Sequence, residues 1–401
     1  MHNSVRATDF RQIAAAGRGA DPVDQVESGL RIIDRGFLNT ACMESNITLI
    51  DGQRAYVQCR DHSIEYLFDN NDYEEVVHLL IWGHLPSTQE KTKLRKAFAA
   101  AATPPRPVVE VVQAFPRDAL TGTILLAGLA AWAACDPGTQ SVHQENRPKY
   151  LGNIAEVDAA IIRTTQAMAT TIALSYCHKR GKQFTQPERE ATFIGNFLTM
   201  MGFTDKMGKP IAEIEAIFAR LWILYADHEM TNSTAAFLHA ASTLSDPLSC
   251  AVSDNCTPEN VPILIADVKA KKQRLFGYGH RIYKKTDPRA KLIRSMIDEH
   301  MPKVKSNPLL RVALEVDRVG NEDDYFTSRN LKANADLYGC FLYTALGFET
   351  DIIVALASLS RTPGVMAHWR ESMSQTPLLW RPLQVFTGSI ASAARSDVKA
   401  L

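Results

Sequence analysis

The chain contains 401 residues, in which 44 lysines and arginines balance 44 aspartates and glutamates. The resulting net charge of zero argues against a basic nucleic-acid-binding protein and against an acidic solvating tail. Hydrophobic residues make up 46% of the chain, which is typical of a globular protein. The length predicts two or three units of roughly 100–200 residues each.

Cysteine usage and hydropathy indicate the environment of the protein. Its seven cysteines are odd in number and include no C-x-x-C pair, which favours a reducing compartment and predicts no metal site. The most apolar stretch, residues 124–134, is shorter than the ~18 residues that a membrane span requires. We therefore expect a soluble intracellular protein, in the cytoplasm or an organelle matrix, that binds neither nucleic acid nor a membrane.

The predicted elements begin with one small β-element and continue with helices. Residues 46–50 and 54–59 flank Asp51 and Gly52, a dipeptide whose tolerance of positive φ predicts a tight hairpin. Beyond it, apolar residues recur at helical spacing, and the prolines within 104–107 predict a connection between helices. The clearest predicted helices are residues 154–176, 211–242, 290–300 and 335–346. The predicted fold class is all-α with a small hairpin near the N-terminus.

Polar residues interrupt the apolar helix predicted over residues 211–242. Asp227 and His228 lie in its middle, and helical spacing would align His228 with Asn232 and His239 on a similar face. Buried polar atoms need hydrogen-bonding partners. The cluster therefore predicts either a ligand site or a polar network that satisfies itself at a helix crossing.

A second polar cluster extends from Gly277 to Arg289. Its opening Gly-Tyr-Gly allows the backbone to approach a ligand closely, and His280 follows directly. Asp287 and Pro288 predict the N-cap and the first residue of a helix. A cation in the first helical turn opposes the macrodipole, so the position of Arg289 predicts a nearby anion. The alternative is an ordinary capped helix after a glycine-rich lead.

Two further clusters lie nearer the C-terminus. Asp336 opens the helix predicted at 335–346, where an aspartate is usually only a cap. Arg361 and Arg381 lie close to apolar or aromatic residues, which favours partly buried guanidinium groups that bind a carboxylate or a phosphate. The two arginines therefore predict an anionic ligand.

In combination, these clusters resemble the citrate synthase family. The similarity extends from Gly36 to Gly388, and its most specific part is Gly277-Tyr-Gly-His-Arg-Ile-Tyr-Lys-Lys-Thr-Asp-Pro-Arg. The other shared motifs are Glu44-Ser-Asn-Ile-Thr-Leu-Ile-Asp-Gly, Ala226-Asp-His-Glu-Met-Thr-Asn, Asn334-Ala-Asp and Arg381-Pro. The resemblance implies a helical homodimer with a shared active site, in which a large and a small domain close over the substrates. We expect residues 1–253 and 343–401 to form the large domain and residues 254–342 a shortened small domain.

The resemblance also implies a reaction and the residues that perform it. The family condenses an acyl-CoA with oxaloacetate and hydrolyses the thioester, with no metal and no cofactor other than the CoA thioester substrate. The side chains that match its oxaloacetate pocket are His228, His280, Arg289 and Arg361. Arg381 matches an arginine contributed by the other subunit, and Lys284 matches a cation that holds CoA phosphates. Asp336 resembles the base that removes the acyl α-proton, while His280 donates to the ketone oxygen.

One catalytic residue of the family is missing from this sequence. In the family, a second histidine in a Gly-Pro-x-His-Gly-Gly loop stabilises the enolate, but no histidine lies between His239 and His280. The corresponding segment is absent between Ser253 and Asp254. Three explanations remain open: a misplaced exon boundary in the gene model, a paralogue that has lost condensation activity, or another donor such as His239.

The predicted function is condensation of oxaloacetate with an acyl-CoA, with release of CoA. Acetyl-CoA would give citrate, propionyl-CoA would give 2-methylcitrate, and a longer acyl-CoA would give an alkylcitrate of the kind used in fungal secondary metabolism. The alternative is an impaired paralogue that binds oxaloacetate and CoA without turnover. One methylene changes discrimination by only about 1–3 kcal/mol, so the sequence does not select the acyl group.

Overall fold

A computed structural model describes residues 34, 37, 40–144, 149–242, 277–300, 307–375 and 379–382. The strands are β1 (Thr48–Asp51), β2 (Tyr56–Cys59) and β3 (His62–Ser63). The first helices are α1 (Ile64–Asn70), α2 (Tyr73–Trp82), α3 (Thr88–Ala100), α4 (Arg106–Ala114), α5 (Thr121–Cys135), α6 (Pro137–Gln144), α7 (Ile154–Arg180) and α8 (Phe193–Met200). The later helices are α9 (Ala212–Tyr225), α10 (Asn232–Ala241), α11 (Pro288–Glu299), α12 (Pro308–Glu322), α13 (Asp324–Thr327), α14 (Ala335–Ala345) and α15 (Thr350–Met373).

The mainly helical fold predicted from the sequence is confirmed. Helices α7, α11 and α14 begin within two residues of their predicted starts, and α7 continues beyond its predicted end to Gly181, whose left-handed φ of 60° ends it. The predicted connection at 104–107 is shorter than expected, because α4 begins at Arg106 with a proline in its first turn. A proline is tolerated there because the first N–H groups of a helix have no partner within the helix.

The hairpin has a wider connection than the predicted tight turn. Strands β1 and β2 pair antiparallel from Asp51 opposite Tyr56, which leaves residues 52–55 as the connection. The positive φ of 55° falls on Ala55 and not on Gly52, so the prediction of a tight Asp-Gly turn is wrong. Strand β3, which was not predicted, pairs with β2 and completes a three-stranded sheet in the order β1-β2-β3.

Gly52 lies where two backbone segments approach each other too closely for a side chain. A Cβ atom at this position would overlap the carbonyl oxygen of Ile282, and the N–H of Lys284 donates to the Gly52 carbonyl oxygen at 2.9 Å. The connection between β1 and β2 therefore packs directly on the segment that follows His280.

Substitution of Gly52 by alanine should lower the free energy of unfolding by about 1–3 kcal/mol, because the added methyl group overpacks this contact. Urea denaturation measures the change. The neighbouring exposed Gln53 provides the control, since Gln53→Ala should leave the free energy of unfolding within about 0.5 kcal/mol of the parent. Equal midpoints for the two variants would contradict the close approach at Gly52.

Helix α15 lies at the centre of the helical packing and contacts α2, α5, α7, α9 and α10. The phenol of Tyr73 on α2 donates to the carbonyl oxygen of Ser360 on α15 at 3.0 Å. Trp222 and Tyr343 are fully buried, and the indole N–H of Trp222 donates to the Tyr343 hydroxyl at 2.9 Å. Large buried aromatic groups whose polar atoms have partners give this core both apolar contact area and a fixed geometry.

Contacts between Cα atoms divide the chain into two compact units, Ser45–Leu379 and the combination of Met1–Glu44 with Trp380–Leu401. In the second unit, the carboxylate of Asp34 accepts the backbone N–H of Thr40 at 2.9 Å. The division into a large and a small domain stays a prediction, and its boundary at Ser253 lies outside the described residues.

In the part of the chain that is described, no single helix is long and apolar enough to cross a membrane. Helices α14 and α15 reach the required length and apolar composition only when they are counted together, and they are bent by 118° relative to each other.

Candidate active site

The first predicted cluster lies in a break between two helices. Helix α9 ends at Tyr225 and α10 begins at Asn232, so the continuous helix predicted over residues 211–242 is wrong. Glu229 has a left-handed φ of 58°, and its carboxylate accepts the backbone N–H of Ile50 in β1 at 2.6 Å. This hydrogen bond ties the segment between the two helices to β1. Because His228 lies outside both helices, its expected alignment with Asn232 and His239 on one helical face is also wrong.

The second cluster is joined to the start of α14 by hydrogen bonds. Gly277 and Gly279 adopt φ values of 88° and 82°, which glycine reaches at no steric cost. The backbone N–H of Asn334 donates to the Gly277 carbonyl oxygen, and its side-chain amide donates to the Gly279 carbonyl oxygen, both at 2.9 Å. Asn334 also caps α14 by accepting the N–H of Asp336 at 3.0 Å. His280 and Asp336 are therefore carried by two segments that are held together.

The imidazole of His280 has a defined tautomer. Its Nδ1 atom accepts the backbone N–H of Ile282 at 3.1 Å and that of Tyr283 at 3.4 Å. A neutral imidazole that accepts at Nδ1 carries its proton on Nε2. Burial and the positive charge of Arg289 lower the pKa of His280, which favours this neutral form near pH 7. His280 can therefore donate one hydrogen bond from Nε2 without carrying a charge.

His228 lies against His280 and is deeply buried. The two ring centroids are 5.5 Å apart, and His228 Nε2 is 2.9 Å from the hydroxyl of Tyr283. Burial, followed by the charges of Arg289 and Arg361, holds the pKa of His228 well below its usual range. Burial and nearby positive charge thus favour the neutral form of both predicted histidines.

The protein itself places an anion next to Arg289, namely the carboxylate of Asp287. Asp287 caps α11 and also binds the buried Arg289 guanidinium through two hydrogen bonds, with Nε at 3.1 Å and Nη2 at 2.8 Å. The Asp287 side chain is fully buried and additionally accepts the backbone N–H of Ala335 at 3.2 Å. Although burial alone would raise it, these contacts hold the pKa of Asp287 below its usual value.

Arg361 on α15 completes the cluster. Its Nε atom donates to the Tyr225 carbonyl oxygen at 2.5 Å, at the point where α9 ends. Burial and the nearby charge of Arg289 lower the pKa of Arg361, and the negative charges of Asp227 and Asp336 oppose this shift. A guanidinium remains protonated in proteins, so this crowding of positive charge favours an anionic ligand.

A buried contact between an aspartate and a histidine supports the segment that carries His228. The carboxylate of Asp227 accepts from His368 Nε2 at 3.4 Å, and the Nδ1 atom of His368 is 3.5 Å from the Ser45 hydroxyl. Burial alone would raise the pKa of Asp227, but the hydrogen bond and charge of His368, together with the charge of Arg361, lower it. Gly364 permits this packing, because a Cβ atom there would overlap the Ala226 carbonyl oxygen.

Stability should fall when the pH is lowered below about 6.5, the pKa of an unperturbed histidine. His78, His228 and His280 have lowered pKa values in the folded protein, so the unfolded chain binds more protons at acid pH. Each such histidine reduces the free energy of unfolding by up to about 1.4 kcal/mol per pH unit. Urea denaturation between pH 7.5 and 5.5 measures this slope. The slope should be smaller in His228→Gln, and an unchanged slope would contradict a buried neutral His228.

The remaining predicted residues lie at the surface. Asp336 is exposed at the first turn of α14, and its negative charge acts on His280 and Arg361. The side chain of Lys284 is exposed, whereas its backbone binds Gly52. Arg381 is exposed in the unit that contains the chain termini. The structure therefore brings four predicted residues together, namely His228, His280, Arg289 and Arg361, and the charge of Asp336 acts on two of them.

Sequence reasoning missed three side chains that organise this cluster. Tyr283 orients His228, Asp287 pairs with Arg289, and His368 pairs with Asp227. Tyr283 and Asp287 lie inside the second predicted cluster, where the aspartate was interpreted only as a helix cap. Their second roles depend on tertiary neighbours, so spacing along the chain gives no signal for them.

Comparisons with known proteins identify the family. The sequence model named "Citrate synthase, C-terminal domain" matches residues 36–257 and 252–383. The chain belongs to the citrate synthase family. A citrate synthase-like protein of Aspergillus oryzae, oryE, is 42% identical, and the alignment covers 97% of this chain and 92% of that protein. The alkylcitrate synthase phiJ of a fungal species is 32% identical, with 96% of this chain and 90% of that protein covered.

A solved structure of the family has the same fold. Citrate synthase from Thermoplasma acidophilum, determined as a ternary complex with carboxymethyl coenzyme A and oxaloacetate, has a TM-score of 0.77 and 25% identity. The match covers 90% of this chain and 97% of that chain. The resemblance predicted from the sequence motifs is therefore confirmed.

The comparisons also bear on the segment predicted to be missing. The family match is divided into two segments that overlap at residues 252–257, where the sequence contains no Gly-Pro-x-His-Gly-Gly loop. The alignment with oryE extends over 413 positions, more than the 401 residues of this chain. That relative therefore contains residues without a counterpart here. Residues 243–276 lie outside the described part of the structure.

Proposed function

We propose that this chain binds oxaloacetate and an acyl-CoA and condenses them, with release of CoA. Membership of the citrate synthase family and the names of its relatives support this reaction class. The observation that carries the proposal is the tautomer of His280, which leaves Nε2–H as a donor on a ring that packs against His228 and is acted on by the charges of Arg289 and Asp336. A neutral donor beside cations suits a ketone oxygen on a dicarboxylate substrate.

In the proposed reaction, the guanidinium groups of Arg289 and Arg361 and the imidazole of His228 hold the two carboxylates of oxaloacetate. His280 donates from Nε2 to the ketone oxygen, which makes the carbonyl carbon more electrophilic. Lys284 contacts the phosphates of CoA, and Arg381 of the partner subunit completes the pocket in a homodimer.

The chemical steps begin at the α-carbon of the thioester. Asp336 removes one α-proton, the resulting enolate attacks the ketone carbon of oxaloacetate, and a new carbon–carbon bond forms. The former ketone oxygen receives the Nε2 proton of His280, and His280 regains a proton from the carboxyl group of Asp336, so both side chains return to their starting states. Water then attacks the thioester carbonyl, the carbon–sulfur bond breaks, and CoA leaves as a thiol. No step requires an oxidant or reductant.

Enolate formation is the weak step in this chain. A carboxyl group with a pKa of about 4 is a poor base for a thioester α-proton, and each unit of mismatch costs about 1.4 kcal/mol. Without a donor at the enolate oxygen, the rate should be lower by roughly 10²–10³. The lack of a histidine between His239 and His280 supports a second candidate function, a paralogue that binds both substrates without turnover.

A thiol-release assay separates the candidate functions. We expect release of CoA that depends on oxaloacetate, tested with acetyl-, propionyl- and hexanoyl-CoA. Asp336→Asn should abolish turnover and leave oxaloacetate binding intact, because Asn334 and not Asp336 caps α14. Asp324→Asn, at an equivalent exposed position in the first turn of α13, serves as the matched control. Oxaloacetate binding without CoA release from any thioester would favour the paralogue, and failure to bind oxaloacetate would overturn both.

A further inference from the structure

A histidine cluster outside the candidate active site lies where α2 ends and α3 begins. His78 is buried in the second half of α2, and Gly83 ends that helix with a left-handed φ of 86°. His84 follows directly, and Glu90 is the third residue of α3. The reversal of the chain at Gly83 thus brings two imidazoles and a carboxylate to one turn.

The donor atoms of these three residues converge. One nitrogen from each histidine and one carboxylate oxygen of Glu90 all lie within 4.8 Å of one another. His84 Nε2 and Glu90 Oε1 are 3.2 Å apart. Tetrahedral ligands about 2.0–2.1 Å from zinc are about 3.3 Å from each other, so this pair already has the spacing of two zinc ligands.

His78 and Glu90 each make a second hydrogen bond that fixes one of their polar atoms. His78 Nδ1 donates to the carbonyl oxygen of His84 at 2.9 Å, which leaves the lone pair on Nε2. Glu90 Oε2 accepts from the backbone N–H of Ser87 at 2.8 Å and from its hydroxyl at 2.7 Å, so Oε1 is the oxygen next to His84. Metal-binding histidines and carboxylates are usually oriented by such second hydrogen bonds.

We propose that His78, His84 and Glu90 bind one zinc ion, with water at the fourth position. Two neutral imidazoles and one carboxylate are a ligand set that zinc commonly takes. The side chains of His84 and Glu90 are 57% and 40% exposed, which gives the ion a path from solvent. The adjacent Lys91 directs its ammonium group to Asp72 and Glu75, at 2.9 Å from the latter. A bound ion would join the end of α2 to the start of α3.

The test is a titration of the full chain with zinc sulfate at pH 7.5, after removal of metals with a chelator. Calorimetry should give one site per chain. His84→Ala and Glu90→Gln should each weaken it by at least ~10–100-fold, the loss that removal of an outer contact alone typically causes. Neither variant removes a buried side chain, so the test does not depend on the folding of a His78 variant.

His300→Ala is the matched control, because His300 Nδ1 lies 3.9 Å from a carboxylate oxygen of Glu213 but belongs to no described three-residue cluster. Its zinc affinity should equal that of the parent. Zinc should also raise the Tm of the parent and not that of His84→Ala. Equal zinc affinity in the parent and His84→Ala would overturn the site, since the ion would then be held elsewhere, for example by cysteines.

Discussion

Replacement of Arg289 by leucine should lower the free energy of unfolding by about 3–5 kcal/mol, the usual cost of leaving a buried charge without its partner. Asp287 is fully buried, and two hydrogen bonds join it to the guanidinium of Arg289. The leucine variant retains the carboxylate and removes its counter-charge. Urea denaturation at pH 7.5 measures the loss, which should exceed that of Arg381→Leu at an exposed position.

The double variant Asp287→Asn with Arg289→Leu is the decisive control. Asparagine remains a good N-cap for α11 and carries no charge, so most of the lost stability should return. The same variant should fold and yet fail to bind oxaloacetate, which separates the structural role of Arg289 from its proposed role in binding. An Arg289→Leu variant as stable as the parent would contradict the buried pair.

Restoration of the missing loop should raise the condensation rate by roughly 10²–10³, the effect of one oxyanion donor. The variant carries a segment with the family motif Gly-Pro-x-His-Gly-Gly inserted between Ser253 and Asp254. The added imidazole would donate a hydrogen bond to the thioester oxygen. This oxygen becomes negatively charged when the proposed base Asp336 removes the α-proton. The thiol-release assay with oxaloacetate and acetyl-CoA measures the gain.

An insert in which the histidine is replaced by alanine controls for the added length. It should leave the rate at the level of the parent chain. Equal rates for the histidine and alanine inserts would show that the enolate donor comes from elsewhere, such as His239. A parent chain that already turns over as fast as the histidine insert would refute the interpretation of the missing segment.

The helices were predictable where periodicity alone determines them, as in α7 and α14. The break at residues 226–231 was not, because the segment contains neither proline nor glycine. Its geometry depends on Glu229, which binds Ile50 in β1, and on Arg361, which binds the last carbonyl of α9. Both contacts join parts of the chain far apart in sequence, so local propensity carries no signal for them.

The sequence predicted which residues belong to the candidate site, but it did not predict how their side chains pair with one another. Asp287 was correctly predicted as the N-cap of α11, but its second role as the partner of Arg289 depends on burial. The cluster of His78, His84 and Glu90 was missed because its spacing matches no familiar zinc motif. Its donor atoms lie within 4.8 Å of one another at a chain reversal where Gly83 ends α2 in a left-handed conformation.

Calorimetric titration of the full chain with oxaloacetate tests the central claim most directly. If Arg289, Arg361, His228 and His280 form a dicarboxylate pocket, the titration should show saturable heat. Arg361→Gln should remove most of that heat while circular dichroism stays unchanged. A folded parent chain that gives no heat with oxaloacetate, or an Arg361→Gln variant that binds as tightly as the parent, would contradict the account.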